Sequence, residues 1–227
     1  RSTAALLLGV VLVGCATGPV TDPRDPLEGY NRGMTQFNDA VDDAVLKPVA
    51  TGYAAVTPDP VRTAISNFFG NLSDMWATLN TALQLRGEDT AVNFMRVNVN
   101  TVLGLGGLID IASDMGLYKT KADFGQTLGY WGVPPGPYLV LPLLGPSTVR
   151  DTLGMGIEAS GDLVNRTEHI ATRNTLTGVR LVEKRAGLLR AGAMLDEAAL
   201  DKYSFTREVF LQRRQSLVDA PRDLDID

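Results

Sequence analysis

The chain has 227 residues, long enough for one large domain or two small ones and for a substantial core. Hydrophobic residues make up 44% and charged residues 21%, a globular balance that excludes a disordered or collagen-like chain. Lys and Arg number 21 against 26 Asp and Glu, so at a net charge of −5 no basic field exists for nucleic acid, and one cysteine and one histidine exclude a disulfide framework and a histidine-built metal site.

Charge is unevenly spread. Residues 51–85 carry three charges (Asp59, Arg62 and Asp74), residues 124–149 carry none, and residues 180–227 carry 18. A water-soluble globule spreads charge over all its faces. Here the middle of the chain suits apolar surroundings and the end suits water.

Residues 4–14 form an apolar run that fits the hydrophobic stretch of a signal peptide and is too short to span a bilayer. The run ends in Leu12-Val13-Gly14-Cys15, which resembles the lipobox of bacterial lipoproteins. That resemblance implies cleavage before Cys15 and acylation of its thiol and new amine. Two or more acyl chains hold a protein on a membrane where one does so only marginally. Ala16, rather than Asp, after the cysteine favours the outer membrane. The expected organisation is a partial signal peptide at 1–14, a lipidated tether at 15–26, a helical domain at 27–218 and a charged tail at 219–227.

Leu27, Tyr30, Met34, Phe37 and Val41 recur every three or four residues and predict an amphipathic helix over 27–46, ended by Lys47-Pro48. A short helix is expected over 48–56, before Thr57-Pro58-Asp59-Pro60 breaks the chain. Further helices are predicted over 60–71, 73–86, 89–103, 108–115, 147–164, 169–191 and 194–218. Gly104, Gly106 and Gly107 suit a bend or a close helix approach. The one alternating run, 138–144, is interrupted by Pro142 and predicts an irregular hairpin. The fold class is therefore all-α, in a single domain.

The charge-free run 124–149 is long enough to cross a bilayer, yet it contains Pro134, Pro135, Pro137, Pro142 and Pro146. An interior proline costs a helix about 3 kcal/mol. Non-helical backbone survives at membrane depth only where protein or a water-filled cavity satisfies its polar groups. The run reads as a hairpin that lines something. No catalytic constellation accompanies it: Asp123-Phe124-Gly125 lacks the rest of a kinase, no Gly-x-Ser-x-Gly elbow exists, and His169 suits a surface or capping position. No cofactor is expected.

The segments Asp123-Phe-Gly-Gln-Thr-Leu-Gly129, Gly136-Pro-Tyr-Leu-Val-Leu-Pro-Leu-Leu-Gly-Pro146 and Arg150-Asp151 resemble the VacJ/MlaA lipoprotein family. So do Asp25-Pro-Leu-Glu-Gly-Tyr-Asn-Arg32, Asn67-Phe-Phe-Gly-Asn-Leu72 and Asn100-Thr-Val-Leu-Gly-Leu-Gly-Gly-Leu-Ile-Asp110. The resemblance implies a ring of amphipathic helices in the inner leaflet of the outer membrane of a Gram-negative bacterium, around an amphipathic pore. It implies that phospholipids astray in the outer leaflet pass through the pore to a soluble periplasmic carrier, MlaC, which makes 27–218 a lipid-transfer domain. It also implies trimeric porins as partners. Phe37 and Asn38 fall where the family's ring closes. Gly132, Pro134, Gly136 and Tyr138 fall in its gating hairpin, where Pro134-Pro135 departs from the expected glycine and stiffens the loop. Arg173, Arg150 and Asp151 are candidate head-group contacts. Two rival functions are a tethered periplasmic lipid hydrolase, which needs a nucleophile or paired carboxylates in a cleft, and a structural lipoprotein bracing a porin complex.

Overall fold

A computed structural model describes residues 22–219, so Cys15, most of the tether and residues 220–227 lie outside the described residues. Helix α1 spans Glu28–Val41, and a five-residue π turn, Asp42–Leu46, joins it without a break to α2, Lys47–Val56. The expectation that Lys47-Pro48 ends the first helix is overturned. Proline lacks an N–H and its ring clashes with the carbonyl four residues back. In the wider turn the Lys47 N–H reaches back to the Asp42 carbonyl, which makes room for the ring, and Pro48 then sits in the first turn of α2.

Helix α3, Asp59–Leu83, is one 25-residue helix where two were expected. Nothing at Leu72 breaks it, because the polar Asn71 and Asp74 find partners inside the fold. Helix α4 spans Gly87–Val102 and packs along α3, followed by the single turn α5, Ile111–Asp114. Helix α6, Phe124–Tyr130, occupies the start of the charge-free run, which the sequence reading left non-helical. Its prolines begin only at Pro134, and Asp123 caps the helix by accepting from the Gln126 N–H at 2.8 Å.

Strands β1, Tyr138–Leu141, and β2, Gly145–Thr148, pair antiparallel, with Tyr138 opposite Thr148 and Leu141 opposite Gly145. The expected hairpin is present, and it shortens the helix predicted over 147–164 to α7, Val149–Gly161, which Thr148 caps. Helix α8 spans Ile170–Gly187, α9 Leu189–Ala198 and α10 Lys202–Val218. The predicted helix over 169–191 is interrupted at Leu188. The one predicted over 194–218 is divided before Asp201, whose carboxylate caps α10.

These elements close a circuit of contacts. Helix α1 meets β1, β2 meets α10, α10 meets α6, α6 meets α3, α3 meets α8, and α8 meets α2, which runs back through the π turn into α1. The chain is one helical domain, as its composition and periodicity predict.

The interior of this circuit is polar. Buried apolar side chains among the described residues are few, Phe69, Tyr138, Val140, Val164 and Tyr203 being the largest. Asn31, Asp74, Asn80, Asn93, Arg96, Asn100 and Gln126 are buried as well. Arg96 binds Asp110 through two 3.1 Å hydrogen bonds, Ser113 Oγ at 3.0 Å and the Leu117 carbonyl. Asn100 gives its amide N–H to Asp110 and accepts from the Ala112 N–H, both at 2.9 Å. Asn93 brackets Thr120 in the same way. One polar face of α4 thereby staples residues 110–120, and buried groups so paired escape the desolvation cost of unpaired ones.

Large apolar side chains instead face outward: Val56 is 80% exposed, Val102 74% and Leu153 63%. Leaving such a side chain in water forgoes about 1.5–3 kcal/mol of burial. Exposed apolar side chains in such number suit a surface adapted to lipid or protein. No described helix is long and apolar enough to cross a membrane.

Candidate functional site

The hairpin is held by side chains where a third strand would otherwise lie. Asn31 donates to the Tyr138 carbonyl at 3.1 Å and accepts from the Val140 N–H at 2.8 Å. Two helical turns on, Asn38 donates to the Leu141 carbonyl at 2.9 Å and accepts from the Leu143 N–H at 2.7 Å. Each amide imitates a peptide group, so α1 completes the free edge of β1. The spacing of seven residues puts both asparagines on one face of the helix. Phe37, beside Asn38, is half exposed.

Tyr138 is sealed in the core against Tyr203 and Phe210, at ring-centroid distances of 6.2 and 6.0 Å. It anchors the base of the hairpin, and its backbone N–H donates to the Arg24 carbonyl at 2.8 Å. The loop before it turns at Gly132 and Gly136, with φ of 87° and 67°, a region L side chains rarely adopt. Pro134 lies between them. The Pro135 and Pro137 carbonyls accept from the first N–H groups of α7, so the proline stretch is tied to that helix.

Arg150 and Asp151 form a buried brace. Arg150 Nε reaches Asp151 at 3.0 Å, and Arg214 of α10 grips Asp151 at 2.8 and 2.9 Å while also binding Asp123. Burial opposes charge on Asp123, but the Arg214 guanidinium outweighs it and holds the carboxyl below its usual range. The brace ties α6, α7 and α10 together behind the hairpin.

Beside the brace lies a cavity of about 650 Å3. Trp76, Ala77, Met155 and Ala159 give its lining apolar side chains, while Lys119, Lys121, Arg180 and Lys184 bring four cations beside the carboxyl groups of Asp123, Glu158 and Asp162. Arg180 pairs with Asp162 at 2.7 Å, and Lys119 pairs with Asp74. Lys121 and Lys184 have no carboxylate partner among the described residues. Two smaller cavities of about 220 and 110 Å3 share its walls, through Trp76 and Arg180 on one side and Met155 and Glu158 on the other. Burial pushes the Glu158 carboxyl up, against the opposing 2.6 Å hydrogen bond from the Phe124 N–H.

Of the residues singled out in the sequence, the structure sets Asn38 against the tip of the hairpin and Tyr138 at its base, and places Asp151 at the cavity of about 110 Å3. Arg150 is turned toward Asp151 and the Val133 carbonyl. Arg173 sits two turns before Arg180 on the same face of α8, outside these cavities. His169 caps α8 through Nδ1, which accepts from the Thr172 N–H at 3.3 Å, as its sequence context suggests. Asn31, Lys121, Arg180, Lys184 and Arg214 were not singled out. The basic spacing 173, 180, 184 along α8 was the readable signal for Arg180 and Lys184.

The chain matches the MlaA lipoprotein family over residues 23–217, which is most of the described structure. It belongs to that family. An intermembrane phospholipid transport system lipoprotein, MlaA, of Shigella flexneri is 37% identical over 96% of this chain and 88% of its own length. The protein of the same name from Escherichia coli K12 is 36% identical over the same shares. That of Haemophilus influenzae is 33% identical over 95% of this chain and 89% of its own. A solved chain described under "Structural basis for maintenance of bacterial outer membrane lipid asymmetry" is similar at a TM-score of 0.75 and 34% identity. The match covers 86% of this chain and 99% of that one. The family resemblance and the all-α class read from the sequence are both borne out.

Proposed function

We propose that this MlaA-family lipoprotein draws misplaced phospholipids from the outer leaflet of a Gram-negative outer membrane through its central cavity and releases them to a soluble periplasmic carrier, MlaC. The observation that carries the reading is the cavity itself, lined by apolar side chains and by four cations, two of them without a carboxylate partner among the described residues, in a domain that exposes many large apolar side chains. A diacyl phospholipid in water exposes some thirty methylenes at about 0.8 kcal/mol each, over 20 kcal/mol in all. Dragging its phosphate through hydrocarbon is also costly. A passage with both kinds of wall lowers both costs: Lys121 and Lys184 receive the phosphate while the chains lie along Trp76 and Met155. Direction comes from the initial imbalance and the carrier's affinity, and no covalent step is required. Cys15 supplies the anchor, Phe37 and Asn38 close the ring, and the loop at Gly132, Pro134 and Gly136 gates it. A trimeric porin is the partner expected to face the apolar exterior.

The test is complementation of a Gram-negative strain that lacks its own family member. The wild-type chain should clear phospholipid from the outer leaflet. Lys121→Glu with Lys184→Glu should leave it there at normal protein levels, and Cys15→Ser should abolish lipid labelling and sorting. Clearance by the charge-reversed double variant at the wild-type rate would sink the cavity route. Release of lysolipid from vesicles by the purified protein would favour a hydrolase instead.

A further inference from the structure

A second cavity, of about 670 Å3, lies away from the first, between α2, the start of α3 and the junction of α8 with α9. Its size falls within the roughly 300–1,000 Å3 common for ligand pockets. Two polar atoms in its lining are buried without a hydrogen-bond partner, Tyr53 Oη and Arg62 Nε. Buried donors are almost always satisfied, so two orphans in one wall point to an acceptor that binds there. Burial first, and Glu183 second, push the Tyr53 phenol up, which keeps it a neutral donor.

The charges of this cavity balance. Arg62 and Arg190 face Asp59 and Glu183, and Arg62 already holds the exposed Asp59 at 2.6 Å. A purely anionic ligand would meet a carboxylate for every guanidinium. A zwitterion would satisfy both signs, its phosphate accepting from Arg62 Nε and Tyr53 Oη and its ammonium facing Glu183. Leu189 and Ala54 line the cavity, and Val56, Val61 and Leu188 stand exposed at neighbouring positions of the same segments, apolar groups that suit acyl chains better than a free head group.

We propose that the cavity bounded by Tyr53, Arg62 and Glu183 is a second phospholipid site, selective for a zwitterionic phosphoamine head group over a net anionic one. It rests on the lipid-transport reading and adds a place where lipid is sorted or held beside the passage.

The test uses the full-length lipoprotein with p-benzoylphenylalanine at Thr63, which lines this cavity, or at Met155, which lines the central one. Each is irradiated with vesicles of equimolar phosphatidylethanolamine and phosphatidylglycerol, and the adducts are weighed. The Thr63 probe should capture phosphatidylethanolamine at least threefold over phosphatidylglycerol. Glu183→Gln should erase that preference. Arg62→Gln and the near-isosteric Tyr53→Phe should each cut the adduct at least threefold, with the Met155 adduct unchanged. Free phosphoethanolamine present during irradiation should not suppress the adduct, and full suppression would overturn the lipid assignment in favour of a soluble phosphoamine. Capture at the bilayer ratio, unaltered by all three substitutions, would overturn the site and leave a water-filled cavity. Loss of the Met155 adduct alone would count against the central passage and not against this site.

Discussion

Asn31 is sealed from solvent, and its amide serves Asp25, Tyr138 and Val140 at once. Truncation to alanine would strand a backbone N–H and a carbonyl in the interior. We expect Asn31→Ala to cost about 3 kcal/mol, a fall in Tm of roughly 6–10 °C for a chain of this size. Asn38 makes the matching pair of bonds where water can replace them, so Asn38→Ala should cost about 1 kcal/mol. Its sharper effect is local. Amide exchange at Leu143 should accelerate while exchange along α3 stays unchanged, and equal protection in both chains would show that Asn38 does not hold the hairpin tip. Asp110 offers a test by pH. Burial works against its charge, but hydrogen bonds from Ser113, Asn100 and Arg96 prevail and lower its pKa to about 2. Because the folded value is depressed, the stabilisation is present above the ordinary value of 3.8 and is lost as pH falls through about 2. After solvent screening this amounts to about 1 kcal/mol. Thermal unfolding of Asp110→Asn should therefore depend less on pH between about 4 and 2 than that of the wild type.

The elements depend on small residues where the helices cross. A Cβ on Gly154 of α7 would lie 2.5 Å from the Gly125 nitrogen and 2.9 Å from its Cα, both backbone atoms of α6 that cannot step aside. Gly154→Ala should push α6 from α7 and cost about 1–3 kcal/mol, read as a lower denaturation midpoint, whereas Gly156→Ala, which meets open space, should not. That crossing shows what could be read from the sequence. The apolar periods of α1 and α4 and the hairpin were legible, because apolar spacing and Pro/Gly punctuation report local geometry. The π turn at Pro48, the short α6 and the break at Leu188 were not, since each depends on neighbours remote in sequence. The site was hardest to see for the same reason. Asn31 and Asn38 on α1, and Asn93 and Asn100 on α4, are each seven residues apart, yet asparagine on a helix normally reads as the wet side. In a domain whose exterior is apolar and whose interior is polar, that inference inverts.

At the scale of the whole molecule, the hairpin is one of the joints in the circuit of contacts: α1 meets β1, and β2 hands the contact on to α10, which Arg32 of α1 also reaches directly through Ser204 and Tyr203. The Asn38 amide at the hairpin tip is therefore both a latch and a seam. Deleting Phe37 and Asn38 would leave Asn31 holding the hairpin base, free the tip, and rotate the remainder of α1 by about 200°. The seam should then leak phospholipid outward even beside a wild-type copy, and a deletion without effect in that background would tell against a ring. The opposite manipulation fixes the seam. The Leu143 N–H meets the Asn38 side chain at 2.7 Å, so a cysteine pair that spares Asn38, one on α1 and one at the hairpin tip with Cα atoms about 4.4–6.8 Å apart, should bridge the two elements. The chain's own Cys15, once acylated, cannot compete for that bond. If transport requires the loop bearing Gly132 and Gly136 to swing with the hairpin, the oxidised protein should leave phospholipid in the outer leaflet while its abundance stays normal. Reductant should then restore clearance. A bridged protein that clears the leaflet at the wild-type rate would make the hairpin a fixed wall, and would shift the moving part to the chain between Trp131 and Pro137, which the bridge leaves free.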